Sequence, residues 1–146
     1  MPLLADGPSL HAAVEAMCSP FEGQFDLVAG AEARGFLLAG FAASMTGVGI
    51  VPVRKAGKLP QPAASADYAL EYGTATVEAQ DDAPAGSRVL LMDDVLATGG
   101  TLRAAVDVLR AVGLEPIGIS VLLELPDLGG RSRLPEELPV HSVFSF

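Results

Sequence analysis

The chain has 146 residues, half of them apolar, and a net charge of −9 at neutral pH. That length fits one domain, 1–146, with a real core, and a charged fraction of only 18% excludes a disordered chain. The acidic balance excludes general binding to nucleic acid or to acidic membranes. A single cysteine, Cys18, excludes an internal disulfide framework and fits a reducing compartment, where it is expected as a small buried apolar residue near a helix end. No stretch approaches the roughly 18 apolar residues of a membrane span. No basic segment followed by a long apolar run opens the chain, so a cytoplasmic protein is expected.

Taken in order, residues 1–8 read as a loop of turn formers: Pro2, Asp6, Gly7 and Pro8. Ser9 is placed to cap a helix running to about Met17, with Leu10, Ala13, Val14 and Met17 on one face. Phe25 to Gly30 reads as a short strand buried on both faces. A tight turn, Gly30 to Gly35, leads into a helix through Phe36 to Ala42 that stops near Gly47, and Val48 to Val53 forms the next strand. From Arg54 to about Ala66 the periodicity disappears among Gly57, Pro60 and Pro62, which predicts a long mobile loop. Asp67 to Val77 reads as two short extended pieces hinged at Gly73, so that residues 54–78 form one flexible inserted hairpin.

Arg88 begins the most informative stretch. An apolar strand ends in the adjacent carboxylates Asp93 and Asp94, and Ala97-Thr98-Gly99-Gly100-Thr101 follows. The helix after it carries Leu102, Ala105, Val106, Leu109 and Val112 as its buried stripe and stops at Gly113. Ile117 to Leu123 is a further strand, Asp127 to Arg131 a turn or short helix, and Val140 to Phe144 the closing strand. Alternating strands and helices of this kind predict an α/β fold, a mostly parallel central sheet flanked by helices on both faces.

A strand, a small-residue loop and a helix start make an anion site, because the first N–H groups of a helix lack internal partners and the dipole favours negative charge there. Glycines allow the backbone close to a phosphate, and Thr98 and Thr101 add hydroxyl donors. Two neighbouring carboxylates repel, so Asp93 and Asp94 suit hydrogen bonds from a sugar diol or a divalent cation held through water. The plainer alternative is a pair of turn residues at a strand exit. No Gly-Lys-Ser/Thr follows the loop and the three-glycine dinucleotide spacing is absent, which argues against a nucleoside triphosphatase and a dehydrogenase. Both lysines, Lys55 and Lys58, stand with Arg54 in one loop, and Arg34 lies upstream. In so acidic a chain that clustering suggests a pocket for a small polyanion, against the alternative of a solvated basic loop.

Val89 to Thr101 resembles the diphosphoribose-binding motif of the type I phosphoribosyltransferases. Ala31-Glu32-Ala33-Arg34-Gly35-Phe36, Val53 to Pro60 and Tyr68-Ala69-Leu70-Glu71-Tyr72-Gly73 narrow the resemblance to the adenine phosphoribosyltransferase family. The resemblance implies transfer of a phosphoribosyl group from phosphoribosyl diphosphate to adenine, giving AMP and pyrophosphate, with Mg2+ and a homodimer. It implies that Ala97, Thr98, Gly99, Gly100 and Thr101 cradle the 5′-phosphate while Asp93 and Asp94 hold the ribose hydroxyls, with Mg2+ near them through substrate and water. It gives pyrophosphate to the Glu32–Gly35 turn (Ala33, Arg34 and Gly35), with a non-proline cis peptide near Ala31–Glu32, and to Arg54, Lys55 and Lys58, one of which can come from a partner subunit. It makes Glu71 the acid/base residue facing the purine. The family also carries an N-terminal Pro-Gly-x-x-Phe-x-Asp-like stretch over the base, and Met1 to Asp6 resembles the residues just after it. With that base hood expected to be absent, two alternatives stay open: a phosphoribosyltransferase for another nucleobase, and a non-catalytic module that binds phosphoribosyl diphosphate or AMP.

Overall fold

A computed structural model describes residues 2–70 and 72–146. Its strands are β1 (Leu27–Ala31), β2 (Gly49–Lys55), β3 (Ala64–Leu70), β4 (Gly73–Ala79), β5 (Arg88–Leu96), β6 (Glu115–Glu124) and β7 (Val140–Ser145). Its α-helices are α1 (Pro2–Ala5), α2 (Gly7–Cys18), α3 (Arg34–Thr46) and α4 (Gly100–Ala111). The sheet order is β3-β4-β2-β1-β5-β6-β7. Strands β2, β1, β5, β6 and β7 pair in parallel, and β3 and β4 form an antiparallel hairpin joined to β2 at Arg54–Glu78 and Lys55–Val77. The expected α/β architecture is what the chain adopts.

The sheet is covered on both faces, and β5 is accordingly apolar without interruption from Val89 to Met92. Val89 and Leu91 of β5 pack in the core under α4, and Leu90 and Met92 pack in the core under α2 and α3. Side chains alternate across a strand, so a continuous apolar run is what burial on both faces requires. Of the predicted stripe of α4, Leu102, Ala105, Val106 and Leu109 are at most 2% exposed, while Val112 caps the helix end and is partly buried. Cys18 ends α2 as a buried thiol, and burial pushes its pKa up to about 11.

Five expectations need correction. Residues 2–5 are helical, and α2 starts at Gly7 with Asp6, not Ser9, as its cap. Pro8 fits the first helical turn, where no N–H is needed, and the Asp6 carboxylate accepts the Ser9 N–H at 3.1 Å. Strand β5 continues through both aspartates to Leu96, with Asp93 paired to Val121 and Val95 to Leu123 of β6. The loop expected from Arg54 to about Ala66 is shorter, since β2 runs to Lys55 and β3 begins at Ala64, while the two extended pieces expected about Gly73 are strands paired from Ala64–Ala79 to Leu70–Gly73. The non-proline cis peptide falls between Glu32 and Ala33, one bond later than expected.

Candidate active site

Three segments meet at the carboxyl ends of the parallel strands, where open α/β sheets bind ligands. The first is the Ala97–Thr101 turn with the acidic pair before it. Gly99 caps α4 in a left-handed conformation, φ 87°, with no side chain capping the helix. The first backbone bond of the turn runs from Arg103 N–H to Gly99 O at 2.9 Å, so the N–H groups of Gly100, Thr101 and Leu102 precede it. Those groups and the helix dipole are what an anion needs. A small cavity of about 90 Å³ opens beside them, lined by Asp93, Val95 and the whole Ala97–Leu102 turn.

Asp93 and Asp94 face different surroundings. Asp93 lines that cavity, and its Oδ1 accepts the Asp94 N–H at 2.8 Å. Burial, then the neighbouring Asp94 carboxyl, holds Asp93 well above the ordinary carboxylate range. Asp94 is 7% exposed and meets Arg34, whose Nε lies 2.7 Å from Oδ2. The angle makes no hydrogen bond, and among the described residues this buried oxygen has no donor. Gly35 closes the junction: a Cβ there would lie 3.1 Å from Asp93 Oδ1 and from Met92 O.

The second segment is the turn between β1 and α3, and the third is the basic end of β2. Glu32 ties them together. Its Oε1 accepts Arg54 Nε at 3.3 Å and the Lys55 N–H at 3.0 Å, and its Oε2 accepts Lys58 Nζ at 2.8 Å. These donors, Lys58 foremost, pull the Glu32 pKa down to about 2. Arg54 also stands 5.6 Å over the Phe36 ring, within cation–π range. The structure therefore brings Ala33, Arg34, Gly35, Arg54 and Lys58 to one rim, whereas the Lys55 side chain is exposed and only its backbone joins Glu32. Sequence reading placed Glu32 in the turn but missed it as the anchor of the basic loop, since its partners lie 22 to 26 residues away.

Strand β3 lies across the start of α4: a Cβ on Gly100 would come 3.5 Å from Tyr68 Cδ2 and 3.8 Å from Ala69 O. The hairpin thus roofs the Ala97–Thr101 turn. Glu71, which follows Leu70 directly, lies outside the described residues. Among the described residues no cluster of three or more His, Cys, Asp or Glu could hold a metal by itself. The two aspartates are hard oxygen donors, one with a buried unpartnered oxygen. That suits Mg2+, which commonly takes one or two carboxylates and completes its shell with phosphate oxygens and water. A larger hollow of about 420 Å³, lined by Glu15, Cys18, Glu22, Phe25 and Met45 among others, lies at the opposite end of the sheet. It gathers no comparable set of anion donors.

A family model described as the phosphoribosyl transferase domain matches residues 3–145. An adenine phosphoribosyltransferase of Arthrobacter sp. is 58% identical over 134 residues, spanning 91% of this chain and 72% of that protein. The chain belongs to the adenine phosphoribosyltransferase family. The crystal structure of the adenine phosphoribosyltransferase from Rhodothermus marinus superposes with a TM-score of 0.94 at 44% identity, covering 100% of this chain and 84% of that one. The Saccharomyces cerevisiae member, complexed with an imino-altritol bisphosphate and adenine, gives a TM-score of 0.90 at 37% identity, covering 97% and 83%. No described helix is long and apolar enough to cross a membrane.

Proposed function

We propose that the chain transfers the 5-phosphoribosyl group of phosphoribosyl diphosphate to adenine, releasing pyrophosphate and forming AMP in purine salvage. The observation that carries this reading is the joining of an uncapped helix start, an acidic pair and a basic rim at the carboxyl ends of the parallel strands. Each is suited to one part of a phosphorylated sugar diphosphate.

In this reading the 5′-phosphate sits on the Ala97–Thr101 turn and the ribose hydroxyls donate to Asp93 and Asp94. Arg34, with Ala33 and Gly35, receives the pyrophosphate together with Arg54, Lys55 and Lys58. A purine nitrogen attacks the anomeric carbon, and the bond to the pyrophosphate oxygen breaks with its electron pair leaving on pyrophosphate. Positive charge grows on the sugar and negative charge on the leaving group, and fixed cations around the latter stabilise the transition state. Mg2+, held by substrate oxygens and water near Asp93 and Asp94, would neutralise diphosphate charge. Glu71, by its match to the family motif, takes the purine proton as the acid/base residue. Residues 54–78 close over the site and exclude water, which otherwise competes as nucleophile.

Residues 1–146 act as one domain, in a cytoplasmic homodimer whose partner reaches the pyrophosphate rim. The deciding assay is pyrophosphate release from phosphoribosyl diphosphate and Mg2+ with each nucleobase in turn. Turnover with adenine alone is expected. Turnover with another base would reassign the substrate, and tight binding without turnover for any base would make the protein a binding module.

A further inference from the structure

The Gly129-Gly130-Arg131 segment has no part in the reaction as set out above, yet it touches the phosphate turn from behind. After β6 the chain folds back under β5, and the Leu125 N–H donates to Leu96 O at 3.0 Å. Gly130, buried, then meets the turn backbone to backbone. A Cβ on Gly130 would fall 2.3 Å from Ala97 O, and one on Gly99 would fall 2.6 Å from Gly130 O. Neither position has room for a side chain. The rear wall of the phosphate turn is therefore the peptide backbone at Gly130.

What fixes that backbone is the next residue. Arg131 donates Nε to Glu124 Oε2 at 3.1 Å, Nη2 to Glu124 Oε1 at 2.6 Å, and Nη1 to Val140 O at 2.7 Å. Such a fork sets direction as well as distance, which a lysine cannot reproduce. Ser142 Oγ donates to the same Glu124 Oε1 at 3.0 Å, and Glu124 is only 6% exposed. At the far end of the segment Arg103 of α4 donates Nη1 to Arg133 O at 3.4 Å. The segment is thus bound to β6, β7 and α4, with Gly130 between the anchors.

We propose that Arg131 is a positioning residue for the 5′-phosphate: through Glu124 and Val140 it holds Gly130 against Ala97 and Gly99, and so sets the N–H groups that receive the phosphate. This rests on the reading of Ala97–Thr101 as the phosphate turn. A fork with a merely stabilising role would affect every ligand alike, whereas a positioning role is selective for the phosphate turn over the pyrophosphate rim.

The test uses calorimetric titration of the full chain with ribose 5-phosphate and, separately, with pyrophosphate and Mg2+. Two variants are compared with the unaltered chain. Arg131→Lys keeps the charge but breaks the fork. Gly130→Ala keeps the fork and pushes a methyl group at Ala97 O, and it remains decisive if the other variant fails to fold. Both should lose at least tenfold in ribose 5-phosphate affinity and less than twofold in pyrophosphate affinity, with KM for phosphoribosyl diphosphate rising more than kcat falls. Equal losses for the two ligands, or an unchanged ribose 5-phosphate affinity in folded Gly130→Ala, would overturn the proposal. If the unaltered chain binds pyrophosphate but not ribose 5-phosphate, the phosphate-turn reading itself fails. Absence of turnover with adenine would leave this binding comparison intact.

Discussion

Asp94 holds a buried oxygen that no donor satisfies among the described residues, 2.7 Å from a guanidinium that does not aim at it. The Arg34 charge offsets that of Asp94, and a ligand hydroxyl would supply the hydrogen bond that the oxygen lacks. Asp94→Asn removes the charge that Arg34 and the ligand share, and should weaken phosphoribosyl diphosphate binding by at least tenfold in a calorimetric titration. An unchanged affinity would place the ribose elsewhere. Glu32 gives a pH prediction with a definite sign. Its pKa is lowered from 4.5 to about 2, so the ionised form belongs to the folded state. The stability it adds is fully present above about pH 4.5 and is lost as pH falls toward 2. In urea denaturation the unaltered chain should exceed Glu32→Gln above pH 5, and the gap should narrow steadily between pH 4.5 and 2. A gap that does not change with pH would show that the carboxylate charge contributes nothing to holding the basic loop.

At the scale of elements, α4 links the core to the Ala97–Thr101 turn through a buried apolar stripe. Leu109 is 0% exposed there, and Leu109→Ala should lower unfolding free energy by about 2–5 kcal/mol while leaving KM for phosphoribosyl diphosphate unchanged. A loss much below 2 kcal/mol would mean that the neighbouring side chains collapse into the gap. This helix was legible in the sequence because its apolar period and its Gly113 stop agree, and β5 because an unbroken apolar run has few other uses. The β3–β4 hairpin was harder to read. Ala64, Ala66, Ala69, Thr74 and Ala75 are small, so inward and outward positions look alike and the two-residue period is lost. The start of α2 was misread for a local reason: Ser9 resembles a cap, but Pro8 before it belongs to the first turn and shifts the cap to Asp6. Of the candidate site, the Ala97–Thr101 turn, the acidic pair and the basic residues at the end of β2 were visible as local runs. Glu32 as an anchor, and the contact of Gly130 with Ala97, depend on pairings far apart in sequence and had no local signal beyond a glycine pair ahead of an arginine.

Across the whole molecule the sheet is not uniform. Five parallel strands hold the two covered cores, whereas the described hairpin joins them at the end of β2, through the Arg54–Glu78 and Lys55–Val77 pairs and the Ala56 N–H donated to Thr76 O, and by a face packed on α4. Segments with few buried contacts open at lower free energy than central strands. Amide hydrogen exchange should therefore be faster in residues 64–79 than in β1 and β5, and should slow in the hairpin when phosphoribosyl diphosphate and Mg2+ are added. Equal protection throughout would rule out the hairpin as a closing roof.

One feature of α2 makes that motion accessible to spectroscopy. Cys18 is the chain's single thiol, and burial pushes its pKa up to about 11, which leaves little reactive thiolate at neutral pH. Tyr72, at the tip of the hairpin, is 90% exposed. A fluorophore attached after Tyr72→Cys would sit at one defined position with no competing label and no need to remove the native cysteine. Its emission and anisotropy would report closing and opening of the tip during a single turnover, on the time axis that exchange experiments average away.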